Sequence, residues 1–350
     1  MFKVVDKSKK DSETSLSPVD FANVPKREID LKSLGINVKP DPTLGNKIEG
    51  DIAVDAFSSR FRRGAVRQSF RRWPDGEIPY AISTQYGPYS RSIIANAMQE
   101  YHKKTCLRFV PRDPLRHRNY IYIYPDDGCY SLVGKSGGRQ PLSLDSGCIQ
   151  TGTIVHELMH VTGFFHEQSR SDRDKYISII WENIMEGAED QFEKYGTNVV
   201  DLLGEDYDYS SIMHYGPYAF TGNGRRTIVA LKPGSGDMGQ RRGFSTLDMK
   251  KLNKLYSCSD KTPSITTTAK PTEKCEDTHW RCVFWSMSIF SYCERSKQIA
   301  QVECRKSCGN CDSKLVEIEE NKTNGFLFVR YFIIIFYILY FIINKIDSLP

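Results

Sequence analysis

The spacing of apolar residues changes character along the chain. Through residues 1–63 apolar side chains stand among polar ones, prolines are scattered, and little periodicity is sustained, so no long regular element is expected. Residues 156–170, HELMHVTGFFHEQSR, set three histidines and two glutamates into a stretch otherwise mostly of Leu, Met, Val, Gly and Phe, a pattern open to an apolar helix with tolerated histidines or to a metal site. CYSLVGKS, residues 129–136, has the residues of an extended edge strand. SDKTPSITTTAKPTEK, residues 259–274, has almost nothing to bury and predicts an extended linker of a composition that can carry O-glycans. The 18 residues Phe326–Ile343, FLFVRYFIIIFYILYFII, are apolar except for Arg330 and stand at the lower limit for crossing a bilayer.

Composition narrows the class. At 350 residues, 39% hydrophobic and 26% charged, the chain can hold one catalytic domain and smaller modules. The formal charge of +5 is mild, and much of the local basic excess lies in RFRRGAVRQSFRR rather than along a surface helix interleaved with aromatics. No nucleic acid is expected as a partner. Six of the ten cysteines fall between Cys275 and Cys311, a density typical of a small disulfide-stapled module in an oxidising compartment. Secretion is therefore expected, although MFKVVDKSKKDSETS at the N-terminus shows no signal-peptide apolar run. Three readings stay open for the apolar tail: a C-terminal membrane anchor, a segment removed on attachment of a lipid anchor, or translated non-coding sequence, since its Phe, Ile, Tyr, Asn and Lys all have AU-rich codons. A membrane is a partner only if that tail is genuine. NKT at Asn321 is a glycosylation sequon beside it. The expected division is a pro-segment at 1–63, a catalytic domain at 64–258, the linker at 259–274, a cysteine-rich module at 275–311 and a tail at 312–350.

The histidine stretch carries the chemistry. On a helix His156 and His160 project from one face a turn apart, so both imidazoles reach one ion. Glu157, rotated one residue away, contacts a water at that ion and serves as general base. Gly163 can take a positive φ, ending the helix and bringing His166 round as a third ligand. Three protein nitrogens leave a position open, which marks catalytic zinc. Chance alone yields H-E-x-x-H in on the order of one chain in a hundred, and the added Gly and His lower that by several powers of ten.

HELMHVTGFFHEQSRSDRD and YDYSSIMHYG, together with RWPDGEIPY, GCYSLVGKSGGRQPLSL and MGQRRGFSTLDMKKLNKLYSC, resemble the astacin family of zinc metalloendopeptidases, a branch of the metzincins, across residues 64–258. The resemblance implies an α+β, zincin-like fold of two subdomains, with a twisted sheet and the zinc helix above the cleft and a more irregular part below. It implies His156, His160 and His166 as ligands of one Zn2+, Glu157 as general base, Met213 in the turn beneath the metal, and Tyr215 as the tyrosine that stabilises the tetrahedral intermediate. CYSLVGKS would be the upper rim on which an extended peptide pairs.

The dibasic RFRR at 60–63 is of the form cut by furin-like proteases. Counting back from Trp73 places Gly64 at the family's mature first residue, whose ammonium would approach Glu167 through a water. KIEGDI resembles the family's inhibitory motif, making Asp51 the carboxylate that occupies zinc in the zymogen, with Ile48 where the family usually has Phe. The resemblance pairs Cys106 with Cys258 and Cys129 with Cys148. CRKSCGNC and the spacing before it resemble a ShK toxin-like domain, which selects Cys275 with Cys311, Cys282 with Cys304, and Cys293 with Cys308 from fifteen pairings; zinc binding by these cysteines is the weaker alternative. Toxin relatives use a Lys-Tyr pair where this chain has Gln298 and Ile299, so docking rather than channel blocking is expected of the module. The architecture resembles nematode secreted proteases, with extracellular protein substrates, matrix or cuticle proteins among them. The competing class is a binding protein with a vestigial protease domain, which loss of Glu157 or a ligand would have favoured.

Overall fold

A computed structural model describes residues 3–54, 69–197, 199–258 and 307–308. The chain divides into two units, Met1–Ser264 and Ile265–Pro350. Of the second, only Ser307 and Cys308 are described, and Cys308 is disulfide-bonded. The Arg60–Gly64 cleavage site, the linker, the other cysteines of the module, Gln298, Ile299, Asn321 and the Phe326–Ile343 tail lie outside the described residues. Among those described, no helix is long and apolar enough to cross a membrane.

Alternation builds the sheet. In β2 (Glu77–Ser83) Ile78, Tyr80 and Ile82 enter the main core while Ala81 faces the other way, and in β4 (Tyr120–Tyr124) Ile121 and Ile123 face in while Tyr120, Tyr122 and Tyr124 form an outer aromatic row. β2, β4 and β6 (Arg139–Leu144) run parallel, and β5 (Cys129–Ser131) closes one edge antiparallel to β6. On the other side of β2, β3 (Arg108–Pro111) pairs with the first half, and β1 (Glu13–Thr14), from the pro-segment, pairs antiparallel with Ile82 and Ser83. Beneath the sheet lie α2 (Pro88–Lys104) and α3 (Thr151–Val161). Ten of α3's eleven residues are buried, as an apolar helix requires. Gly152 is there because a Cβ would meet the Arg241 carbonyl oxygen at 1.5 Å.

A second core of Ile177, Ile184, Phe192, Tyr207, Tyr209, Tyr215 and Ile228 forms the irregular lower part, with a small sheet of β7 (Ile177–Ile179) and β8 (Ile228–Ala230). Cys106 pairs with Cys258 and Cys129 with Cys148, the two bonds implied by the resemblance. The first joins the end of α2 to the chain after α4 (Thr246–Leu255).

The N-terminal segment expected to be a pro-segment has, over its described residues 3–54, more structure than its pattern predicts. It is held by single buried residues, Val4, Leu16, Leu31 and Ile52, which leave no periodic trace in sequence. α1 (Pro18–Ala22) is closed by a Ser17–Asp20 capping box, and Asp20 pairs with Arg91 of α2 at 2.9 Å. The Glu28 carboxylate accepts the Thr151 N–H at the start of α3, at 3.2 and 3.3 Å. Burial pushes the Asp20 carboxyl up, but hydrogen bonds from Arg91 and Ser17 outweigh it and hold the group below the usual range. A lowered folded pKa means the contribution is complete above the unfolded value and lost as pH falls through the folded one. Asp20→Asn should cost about 1 kcal/mol at pH 7. In denaturant unfolding the difference from the native chain should narrow below about pH 4; a constant difference would count against the assignment.

Candidate metal centre

α3 ends where the site needs a reversal. Gly163 takes φ +109°, its N–H bonds to the His160 carbonyl at 2.8 Å, and the Phe164 N–H bonds to the Met159 carbonyl at 3.2 Å. This is a Schellman closure, which turns the chain and returns His166 to the face of His156 and His160. The His166 ring then lies 5.2 and 4.8 Å from theirs.

Each imidazole is oriented through Nδ1. His156 donates to the Ile212 carbonyl, His160 to the Phe164 carbonyl and His166 to Glu49 Oε2, all at 2.7 Å. Carbonyl and carboxylate oxygens only accept, so the protons sit on Nδ1 and the Nε2 lone pairs point inward. Facing them is Asp51, 2.9, 3.3 and 3.4 Å from Nε2 of His156, His160 and His166. All four residues are buried, and Nε2 of His156 and His166 are 3.3 Å apart. Asp51 Oδ1 and His160 Nε2 have no hydrogen-bond partner among the described residues. The four inward-facing ligand atoms lie within 4.8 Å of one another, a grouping that can hold a metal ion. Three imidazole nitrogens and one carboxylate suit zinc.

Glu157 is fully buried and neither of its oxygens has a hydrogen-bond partner among the described residues. Burial, with the charge of Asp51 added, holds its carboxyl well above the usual range. Such a group is built to take and return a proton. Tyr215 is buried with its ring 4.8 Å from that of His166, and its hydroxyl donates to the Glu49 carbonyl at 2.5 Å. Burial raises its pKa well above 10. Met213 lies in the buried turn 211–214, whose Ile212 carbonyl receives His156. Ile48 is 44% exposed, so the departure from Phe there leaves the Asp51 contact intact.

Glu167 stands just behind the ligands. It accepts from Lys251 at 2.7 and 2.8 Å, from Arg170 at 3.0 Å and from the Asp208 N–H at 2.9 Å. Burial pushes its carboxyl up, and Lys251 and Arg170 more than reverse this. A cavity of about 30 Å³ adjoins it, lined by Gly163, His166, Leu203 and Lys251 among others, room for a water.

Glu49 is the site residue that sequence reading missed. It lies inside the quoted KIEGDI motif, and an acidic residue two positions before the Asp51 ligand was the available signal. The Ile212 and Phe164 carbonyls were invisible, because every residue carries one.

A buried centre of three histidines and one carboxylate, with a glutamate beside it that has no hydrogen-bond partner among the described residues, on a helix beneath a mixed sheet, defines a zinc peptidase. The model of the astacin peptidase family matches residues 65–257, more than half of the chain, and the chain belongs to that family. It is 59% identical over 261 residues to zinc metalloproteinase nas-4 of Caenorhabditis elegans, covering 73% of this chain and 83% of that protein. It is 50% identical over 238 residues to nas-13 of the same organism, covering 63% of this chain and 52% of that one. Among solved structures, high choriolytic enzyme 1, a hatching enzyme zinc-protease from Oryzias latipes, is 39% identical, with a TM-score of 0.49 over 59% of this chain and all of that one. The chain is thus a zinc-dependent metalloendopeptidase with the metzincin fold.

Removing the Glu167 charge leaves the buried Lys251 ammonium without its carboxylate, while Arg170 keeps Asp172. Glu167→Gln should destabilise the chain by about 3 kcal/mol, seen as a lower midpoint in denaturant unfolding. Pairing it with Lys251→Met should recover part of that loss, and a single variant as stable as the native chain would refute the buried network.

Proposed function

We propose that the chain is the zymogen of a secreted endopeptidase, that residues 1–63 close its site, and that cutting after Arg63 by a furin-like protease opens it. Extracellular proteins, matrix or cuticle proteins among them, are the substrates. The observation that carries this reading is Asp51, 2.9–3.4 Å from all three imidazole Nε2 atoms. A carboxylate there stands where water and substrate would have to enter.

The neighbours of Asp51 fill the rest of the cleft. Ser131 N–H donates to the Asp51 carbonyl at 2.9 Å, and the Ser131 carbonyl accepts from Ala53 at 2.8 Å. Once residues 47–53 leave, those groups pair with the backbone of an extended substrate. Tyr215, released from Glu49, then donates to the developing oxyanion. Glu157 takes a proton from the attacking water and delivers it to the leaving amine. When bound, zinc is the Lewis acid that polarises the scissile carbonyl and activates water. The freed Gly64 ammonium has Glu167 and its adjoining cavity as a destination, and the ShK-like module at 275–311 serves to position substrate.

Cleavage of a denatured protein by the full chain before and after cutting at Arg63 tests the reading. The uncut chain should be inert and the cut chain active. Glu157→Gln should keep one zinc per chain yet lose at least about 100-fold in rate, and Asp51→Ala should give the uncut chain partial activity. A cut, zinc-loaded native chain that cleaves nothing would sink the proposal.

A further inference from the structure

Far from the metal, the first residues of the pro-segment lie along the edge of β2. Gly87 donates to the Val4 carbonyl, Gln85 side-chain nitrogen to the Lys9 carbonyl, and Thr84 N–H to the Ser12 carbonyl, before Glu13 and Thr14 join the sheet opposite Ser83 and Ile82. Two carboxylates on this strand, two residues apart, meet the outer face of the sheet. Asp11 accepts from Tyr122 and Ser83 hydroxyls, each at 2.5 Å. Glu13 accepts from Arg112 at 2.6 Å, Arg139 at 3.1 Å and the Tyr120 hydroxyl at 2.8 Å. Both guanidinium groups are stacked on the aromatic row, Arg112 over Tyr120 at 3.8 Å and Arg139 over Tyr122 at 3.9 Å. Stacking orients the fork before any carboxylate arrives, so this is a prearranged receptor rather than a loose ion pair.

The receptor belongs to the catalytic domain and its occupant to the pro-segment. On the zymogen reading proposed above, on which this inference rests, activation removes the occupant. The backbone edge at Ile82–Thr84 and two oriented cations are then left without partners, a combination that recruits another strand. We propose that the mature enzyme uses this edge as an exosite for protein substrates: it binds an extended segment presenting carboxylates on alternate residues, by backbone pairing with β2 and by the Arg112–Tyr120 and Arg139–Tyr122 stacks. Charge complementarity selects the segment and spacing sets its register, because residues i and i+2 of a strand face the same way.

The test uses a labelled peptide of residues 3–16 and the full chain cut after Arg63, with its pro-segment stripped at high salt. In fluorescence anisotropy the stripped chain should bind the peptide saturably and the uncut chain should not. An Asp11→Asn, Glu13→Gln peptide should bind at least tenfold more weakly, as should a chain carrying Arg112→Gln and Arg139→Gln. That chain should still cut a short reporter peptide at the native rate. A second arm needs no stripping: full chain with Asp11→Asn and Glu13→Gln in its own strap should take up the native peptide where the native chain does not. No saturable binding in either arm, or equal binding of the neutralised peptide, overturns the exosite. A stripped chain that elutes as a dimer and ignores the peptide assigns the edge to a second copy and overturns it too. Reporter cleavage by the stripped chain is read separately, so failure of the zymogen reading is distinguished from failure of the exosite.

Discussion

Three imidazole Nε2 atoms and a carboxylate converge on one buried point. Such a cluster can hold a cation at its centre, and its geometry persists only if each ring is held from behind. The rest of the catalytic half supplies those holds. The Schellman turn at Gly163 presents the Phe164 carbonyl to His160, and the 211–214 turn presents the Ile212 carbonyl to His156. That second turn is itself fixed, since Ile212 N–H donates to Asp248 of α4 and Arg241 donates to the Ile212 carbonyl. The buried α3, packed beneath the sheet, excludes water that would otherwise satisfy these groups one by one.

The N-terminal segment, residues 3–54, meets the same constraint from outside. It completes the third hold through Glu49 and supplies the fourth donor through Asp51. Elsewhere it is attached by buried apolar residues, the Glu28 carboxylate at the start of α3, and ion pairs that include Asp20 with Arg91, Glu13 with Arg112 and Arg139, and Lys7 with Asp145. Arg241 ties the two regions, pairing with Asp41 at 3.0 Å while holding the metal-side turn.

The three histidines and the glutamate beside them were legible in sequence because their geometry is local. His156, Glu157 and His160 sit on one helix whose rise and rotation are known in advance, and Gly163 announces the turn that adds His166. The catalytic-domain disulfides, the sheet and the irregular lower part agree with the family resemblance. The pro-segment's order was not legible, because Val4, Leu16, Leu31 and Ile52 are too widely spaced to make a period. Glu49 stood in plain view but its role depended on which way the His166 ring faced.

By itself, then, the sequence determined which histidines form the metal site, which glutamate stands beside them, and which family's fold holds them. Only the tertiary structure decided what orients those atoms and what covers them. The physical reason is that side-chain identity encodes ligand type and helical spacing, whereas the orienting partners are largely backbone carbonyls and strand edges. Every residue carries those groups, so which of them is used is settled by where distant segments come to lie.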